Sequence, residues 1–137
     1  IGGGICKGLG FGDNTLAALV TRGLNEIVSF GVDCGAKKET FYGLGGLGDL
    51  VVTVMSKHSR NYKFGLDIAK REEKPSKLIS ANSMVVEGYY TCNSLYKIKN
   101  KTSMPIMDEM YSIMYDNKDP FKAITSLMTR KLKSESH

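Results

Sequence analysis

From Asn14 to Phe30 the apolar residues Leu16, Val20, Leu24, Ile27 and Val28 recur at near-helical spacing. Asp13 or Asn14 is placed to cap the first amides of this helix, and Gly31 is placed to stop it. A second helix starts near Ser59 and runs to about Lys70, and a third covers Gly88 to about Ile98. Pro105 suits a first helical turn, with Met107, Met110, Ile113 and Met114 behind it. Asp119-Pro120 repeats that signal ahead of Phe121, Ile124, Leu127 and Met128. The segment Asp49 to Met55 is β-branched enough to read as a strand on propensity alone. The glycines before it leave no partner strand and few other strand candidates exist, so a helix is the better reading. The tail Lys131 to His137 is polar and expected to fray. These patterns predict a single all-α domain over residues 1–137, built from six or seven short helices.

Glycine distribution adds a constraint. Thirteen of the fifteen glycines fall within the first 48 residues, which places the tight turns there and leaves the remainder for regular helix. With 137 residues, 42% hydrophobic and 24% charged, the chain can bury one modest core, which excludes disorder and collagen. No apolar run approaches the roughly 18 residues of a membrane span, and no signal peptide is visible, so no membrane partner is expected. Cys6, Cys34 and Cys92 lie far apart with only His58 and His137 to help, which indicates neither a disulfide framework nor a metal site and suits a reducing, cytoplasmic setting. The net charge of +5 permits an anionic ligand, but no block of like charges forms the dense stripe that nucleic acid wants. The first residue is Ile1 rather than an initiator Met, which raises the expectation of a piece cut from a longer protein.

Four constellations carry candidate chemistry. Gly43-Leu44-Gly45-Gly46-Leu47-Gly48 matches G-x-G-x-x-G, and Asp67 stands at about the distance of a ribose-binding acid. The polar segment Lys37 to Tyr42 before it cannot open a βαβ unit, so close backbone approach before a helix is the preferred reading. Asp49 and Thr53 are four apart and share a helix face amid apolar neighbours. Asp49 either caps that helix or holds a cation in a partly dry pocket. Ser59-Arg60-Asn61 at a helix start would aim amides, a hydroxyl and a guanidinium at one spot, which is phosphate-binding chemistry. In Val85-Val86-Glu87-Gly88 the acid reads by default as a cap. His58 beside Ser59 is not a hydrolase signature, because no nucleophile elbow surrounds the serine. The Met104, Met107, Met110, Met114 series reads as adaptable core.

Five blocks in order, Gly8 to Asn14, Ala17 to Leu24, Thr40 to Leu50, Ser59 to Asn61 and Val85 to Gly88, resemble the C-terminal substrate domain of the NAD(P)-dependent glycerol-3-phosphate dehydrogenase family. Met104-Pro105-Ile106 extends the likeness. The resemblance implies a multi-helix fold of the 6-phosphogluconate dehydrogenase C-terminal type that packs against a separate N-terminal Rossmann domain. It implies reversible reduction of dihydroxyacetone phosphate to sn-glycerol 3-phosphate for phospholipid synthesis, with NAD or NADP as cofactor and a phosphorylated three-carbon substrate as partner. Under it Asp49 and Thr53 take catalytic positions, and Asp49, Ser59, Arg60 and Asn61 bind substrate. The resemblance also implies that Arg60, Val85 and Glu87 contact the dinucleotide. The family's proton-donating lysine stands in a Lys-Asn pair upstream of the position of Ile1, and Lys7 does not replace it. The chain alone is therefore expected to be inactive, with an exposed apolar face that invites a homodimer. The reading from a different class is a helical interaction module for an anionic partner.

Overall fold

The computed structural model describes residues 1–130; the expected frayed tail, 131–137, lies outside the described residues. Within that range there are eight α-helices and no strand: α1 Gly2–Gly8, α2 Asp13–Asp33, α3 Asp49–Met55, α4 Arg60–Lys70, α5 Pro75–Ala81, α6 Glu87–Ile98, α7 Pro105–Tyr115 and α8 Pro120–Thr129. The all-α expectation holds, and the segment that could have been a strand is α3. The fold belongs to the helical class that the sequence pattern demanded, with more elements than the six or seven expected.

Two elements depart from the expected pattern. The glycine-rich opening, expected to turn, is instead α1, because its glycines serve helix packing rather than chain reversal. Helix α1 lies directly on α4. A Cβ at Gly4 would stand 2.0 Å from the Tyr62 carbonyl oxygen, and one at Gly65 would stand 2.2 Å from the Ile1 carbonyl oxygen. Each helix thus contributes the missing side chain that lets the other backbone approach. The other face of α1 carries Ile5 and Cys6 into the centre of the core, where they meet Phe64, Ile68, Val86, Ile113 and Ile124. Burial pushes the Cys6 thiol up to about 11, which keeps it a small neutral packing group. Helix α5, which the apolar spacing does not signal, starts at a proline in its first turn and packs on α4 and α7.

Gly31 does not stop α2, which continues to Asp33 and ends where Gly35 takes a φ of +91°. The Gly31 position is occupied from outside by the Phe41 ring, whose Cζ would lie 2.2 Å from an added Cβ. Residues 38–42 form a short 3-10 turn, and Leu44–Gly48 form one wide π turn that runs straight into α3. In the G-x-G-x-x-G string only Gly46 gives close backbone approach, to Phe41, while Gly43 and Gly45 have nothing within 4 Å; no strand precedes the string, and Asp67 is an exposed partner of Lys70 at 2.9 Å. Met104, Met110 and Met114 are buried core residues.

Aromatic stacking fixes α6 on α7. Tyr96 stacks on Tyr111 at 3.7 Å, and Tyr89 on Tyr115 at 4.6 Å, while the Tyr115 hydroxyl donates to the Tyr89 carbonyl at 2.6 Å. Replacing Gly4 with Ala should force α1 from α4 and cost about 1–3 kcal/mol or more. Ala at Gly43, where nothing lies within 4 Å, should be near neutral, and urea denaturation of both variants checks the contrast.

Candidate functional site

Two helix starts, those of α4 and α6, meet beside the N-terminus of α1. Ser59 is the N-cap of α4: its backbone is extended and its Oγ accepts from the Tyr62 N–H at 3.4 Å. That leaves the Arg60 and Asn61 amides of the first turn of α4 without intrahelical partners. Arg60 Nη1 donates to the Val85 carbonyl at 3.2 Å, and Asn61 Oδ1 accepts from the Gly88 N–H at 2.9 Å. The two sequence blocks 59–61 and 85–88, separated by a helix and a half, are thus tied together by side-chain to backbone bonds.

The reason for the Asn61 bond is visible in the sequence of α6. Its N-cap is Val86, which has no side-chain acceptor, so an orphan amide of the first turn must be satisfied from elsewhere. Val86 itself is only 1% exposed and anchors this corner in the core, while Val85 is turned outward at 60%. Glu87 is exposed in the first turn, where its charge complements the helix dipole; it is not the cap, because Asn61 is.

Thr53, Ser59, Asn61 and Gly88 line one cavity of about 300 Å³, whose far lining is the aliphatic and thioether surface of α2, α6 and α7. Cys92 contributes a thiol that burial pushes up to about 11, with its sulfur 3.5 Å from that of Met107. Leu50 and Val54 bring α3 to the same cavity, and Val54 abuts Gly3 of α1. Asp49 is placed differently. It is the first residue of α3, it makes no capping bond, and it is exposed. Asp49 is therefore not a cap, and in this domain its carboxylate faces solvent rather than a pocket. The cause is the π turn before α3, which makes residue 49 continuous with helix and leaves no free first amide for it to accept. Arg60, Val85 and Glu87 form the exposed rim beside the cavity rather than its lining.

Sequence reasoning missed Glu26. This carboxylate of α2 is 8% exposed and lines the same cavity. It accepts from the Ile106 N–H at 2.6 Å and the Met107 N–H at 3.2 Å, and so caps α7 from 80 residues away. The signal was present: α7 starts after Met104, as α6 starts after Val86, with no capping side chain of its own. Burial raises the carboxyl of Glu26 above its ordinary value, the two amides oppose that shift, Asp108 adds to it and Lys99 opposes it.

A family profile described as NAD-dependent glycerol-3-phosphate dehydrogenase C-terminus matches residues 1–125. The chain belongs to that family. It is 51% identical over 134 residues to glycerol-3-phosphate dehydrogenase [NAD(P)+] of Clostridium botulinum (strain Alaska E43 / Type E3), covering 96% of this chain and 40% of that protein. The enzyme of the same description from Thermoanaerobacter sp. (strain X514) is 49% identical over 139 residues, covering 100% of this chain and 42% of that one. The crystal structure of glycerol-3-phosphate dehydrogenase from Coxiella burnetii superposes with a TM-score of 0.87 at 35% identity, covering 94% of this chain and 40% of that one. The chain spans about 40% of the length of these relatives. The family resemblance read from the five sequence blocks is confirmed, and so is the helical fold that it implied.

Asn61→Ala should cost about 1 kcal/mol of stability by stripping the cap from α6. Asn61→Asp keeps an acceptor and should recover most of it, as thermal unfolding of the two variants will show.

Proposed function

We propose that this domain is the substrate-binding part of a glycerol-3-phosphate dehydrogenase, an enzyme that reversibly reduces dihydroxyacetone phosphate to sn-glycerol 3-phosphate with NAD or NADP. The observation that carries the reading is the union of the 59–61 and 85–88 segments over one cavity through the Asn61–Gly88 bond. Membership of the family supplies the reaction; the geometry supplies the division of labour.

Arg60 spends one N–H on the Val85 carbonyl and has further donors for a phosphate dianion beside the open amides of α4. Thr53, Ser59 and Asn61 offer hydroxyls and an amide to the oxygens of a triose whose phosphate is so held. Anchoring one end of a three-carbon chain orients its carbonyl, which is the main contribution a binding domain makes to transfer chemistry. Asp49, one turn before Thr53 on α3, stands where it can pair with a cation supplied by a neighbouring domain. An ammonium so placed would meet the alkoxide charge that develops as the ketone is reduced.

The residues present fit the edge of a dinucleotide. Arg60, Val85 and Glu87 share the exposed rim, whereas the described residues hold no strand and hence no Gly-rich phosphate cradle of the Rossmann kind. When bound, the dinucleotide supplies the hydride. We assign the cradle to the N-terminal portion that accounts for the remaining length of the relatives. The exposed apolar side chains Val52, Met55, Met84 and Val85 flank this corner and are the surface on which that portion would rest.

An anionic-partner module finds less support. Arg71, Lys74, Lys77 and Lys118 line a cleft of about 320 Å³ at the other end of α4, but Arg71, Lys77 and Lys118 are already paired with Asp119, Glu73 and Glu109. In the enzyme that carries this domain, Arg60→Ala should raise KM for dihydroxyacetone phosphate by about tenfold or more with the fold intact. Steady-state kinetics with unchanged KM would remove Arg60 from the site.

A further inference from the structure

Helix α7 supplies much of the cavity lining through Ile106, Met107, Met110 and Met114. What fixes the start of this helix is therefore also what fixes the shape of the cavity. The sequence at that point is Met104-Pro105-Ile106-Met107: a residue with no acceptor, a proline with no N–H, then two amides that need partners. Glu26 satisfies both, one oxygen to each amide, at 2.6 and 3.2 Å.

The geometry is costly enough to need a reason. A carboxylate in so apolar a setting loses most of its hydration, and an uncharged acceptor would hold one helix start more cheaply. A carboxylate differs in holding two amides at once with a rigid, planar fork, which fixes both the position and the rotation of α7. The charged groups facing it are Asp108 on α7 and Lys99 after α6, and these two pair with each other at 2.6 Å. Glu26 makes no ion pair with either of them, so its partners are the amides.

We propose that Glu26 is a positioning residue for substrate: it holds the start of α7 so that Met107 and Met110 close the cavity shared with Thr53, Ser59 and Asn61. The inference rests on the reading of that cavity as the substrate site. Glu26 touches no reacting atom in this account. It acts through α7, and loss of its charge changes how well the cavity fits a triose phosphate.

The test uses the enzyme that carries this domain and dihydroxyacetone phosphate as the probe. Glu26→Gln keeps the shape but turns an amide NH₂ toward one of the two helix amides. KM should rise by about tenfold with kcat changed by less than about threefold. The wild-type enzyme should also lose affinity on the acid side as Glu26 takes up a proton, and Glu26→Gln should lack that limb. A variant that is less stable but has wild-type KM and a wild-type pH profile would show a merely structural role and overturn the inference. Should Glu26→Gln fail to fold, Glu26→Asp decides: it keeps the charge, so KM should rise with the acid limb retained, and an unchanged KM overturns the inference. If Arg60→Ala raises KM while neither Glu26 variant does, the substrate reading stands and this inference falls. If neither position alters KM, the substrate reading falls and takes this inference with it.

Discussion

Everything at the candidate site depends on the backbone contact between α1 and α4. Gly4 and Gly65 face each other across it, and each leaves no room for even one carbon between itself and a carbonyl of the other helix. Close approach of this kind fixes translation as well as distance, because a helix whose carbonyl sits in a neighbour's glycine notch cannot slide. The same short helix touches α3 at Gly3 and meets α6 where the Ile1 side chain approaches Gly88. Helix α1 is thus the common support of the three segments that bear Thr53, Ser59 to Asn61, and Val85 to Gly88. A seven-residue helix with three consecutive glycines would not form alone; tertiary packing on α4 offsets its poor propensity.

On this support the polar groups do double duty. Two helices begin after apolar residues, Val86 and Met104, and borrow their caps from Asn61 and Glu26. Arg22, one turn before Glu26 on α2, closes the other end of the same layer by donating to the Leu127 and Arg130 carbonyls at the end of α8. The signs follow the helix dipoles: a carboxylate at an N-terminus and a guanidinium at a C-terminus. Binding geometry and folding geometry are consequently hard to separate here, since the side chain that lines the cavity at Asn61 is also the cap of α6.

Much of this was legible in the chain itself. Helical periodicity located α2, α4, α6, α7 and α8 to within a few residues, and Pro105 and Pro120 marked two starts correctly. The polar segment before Gly43 rules out a strand there, and the string that follows accordingly runs through a π turn rather than opening a dinucleotide cradle. What the pattern hid was tertiary in origin. Nothing local distinguishes glycines that turn the chain from glycines that admit a neighbouring helix, so the sequence pattern alone does not reveal α1. The π turn at Leu44–Gly48 altered the setting of Asp49, and no propensity rule anticipates it. Glu26 and Asn61 are ordinary helix residues by spacing, and their roles emerge only once the uncapped starts at Met104 and Val86 are seen as requirements to be met elsewhere.

The proposed role of the corner joining Thr53, Arg60 and Asn61 is to receive a phosphorylated triose. The most direct measurement is a crystal structure of the enzyme that carries this domain with glycerol 3-phosphate bound. The phosphate should lie within hydrogen-bond reach of the Arg60 guanidinium and the first amides of α4, with the triose hydroxyls directed to Thr53 and Asn61. A phosphate seated in the Arg71–Lys118 cleft instead, with Arg60 still turned only to Val85, would contradict it.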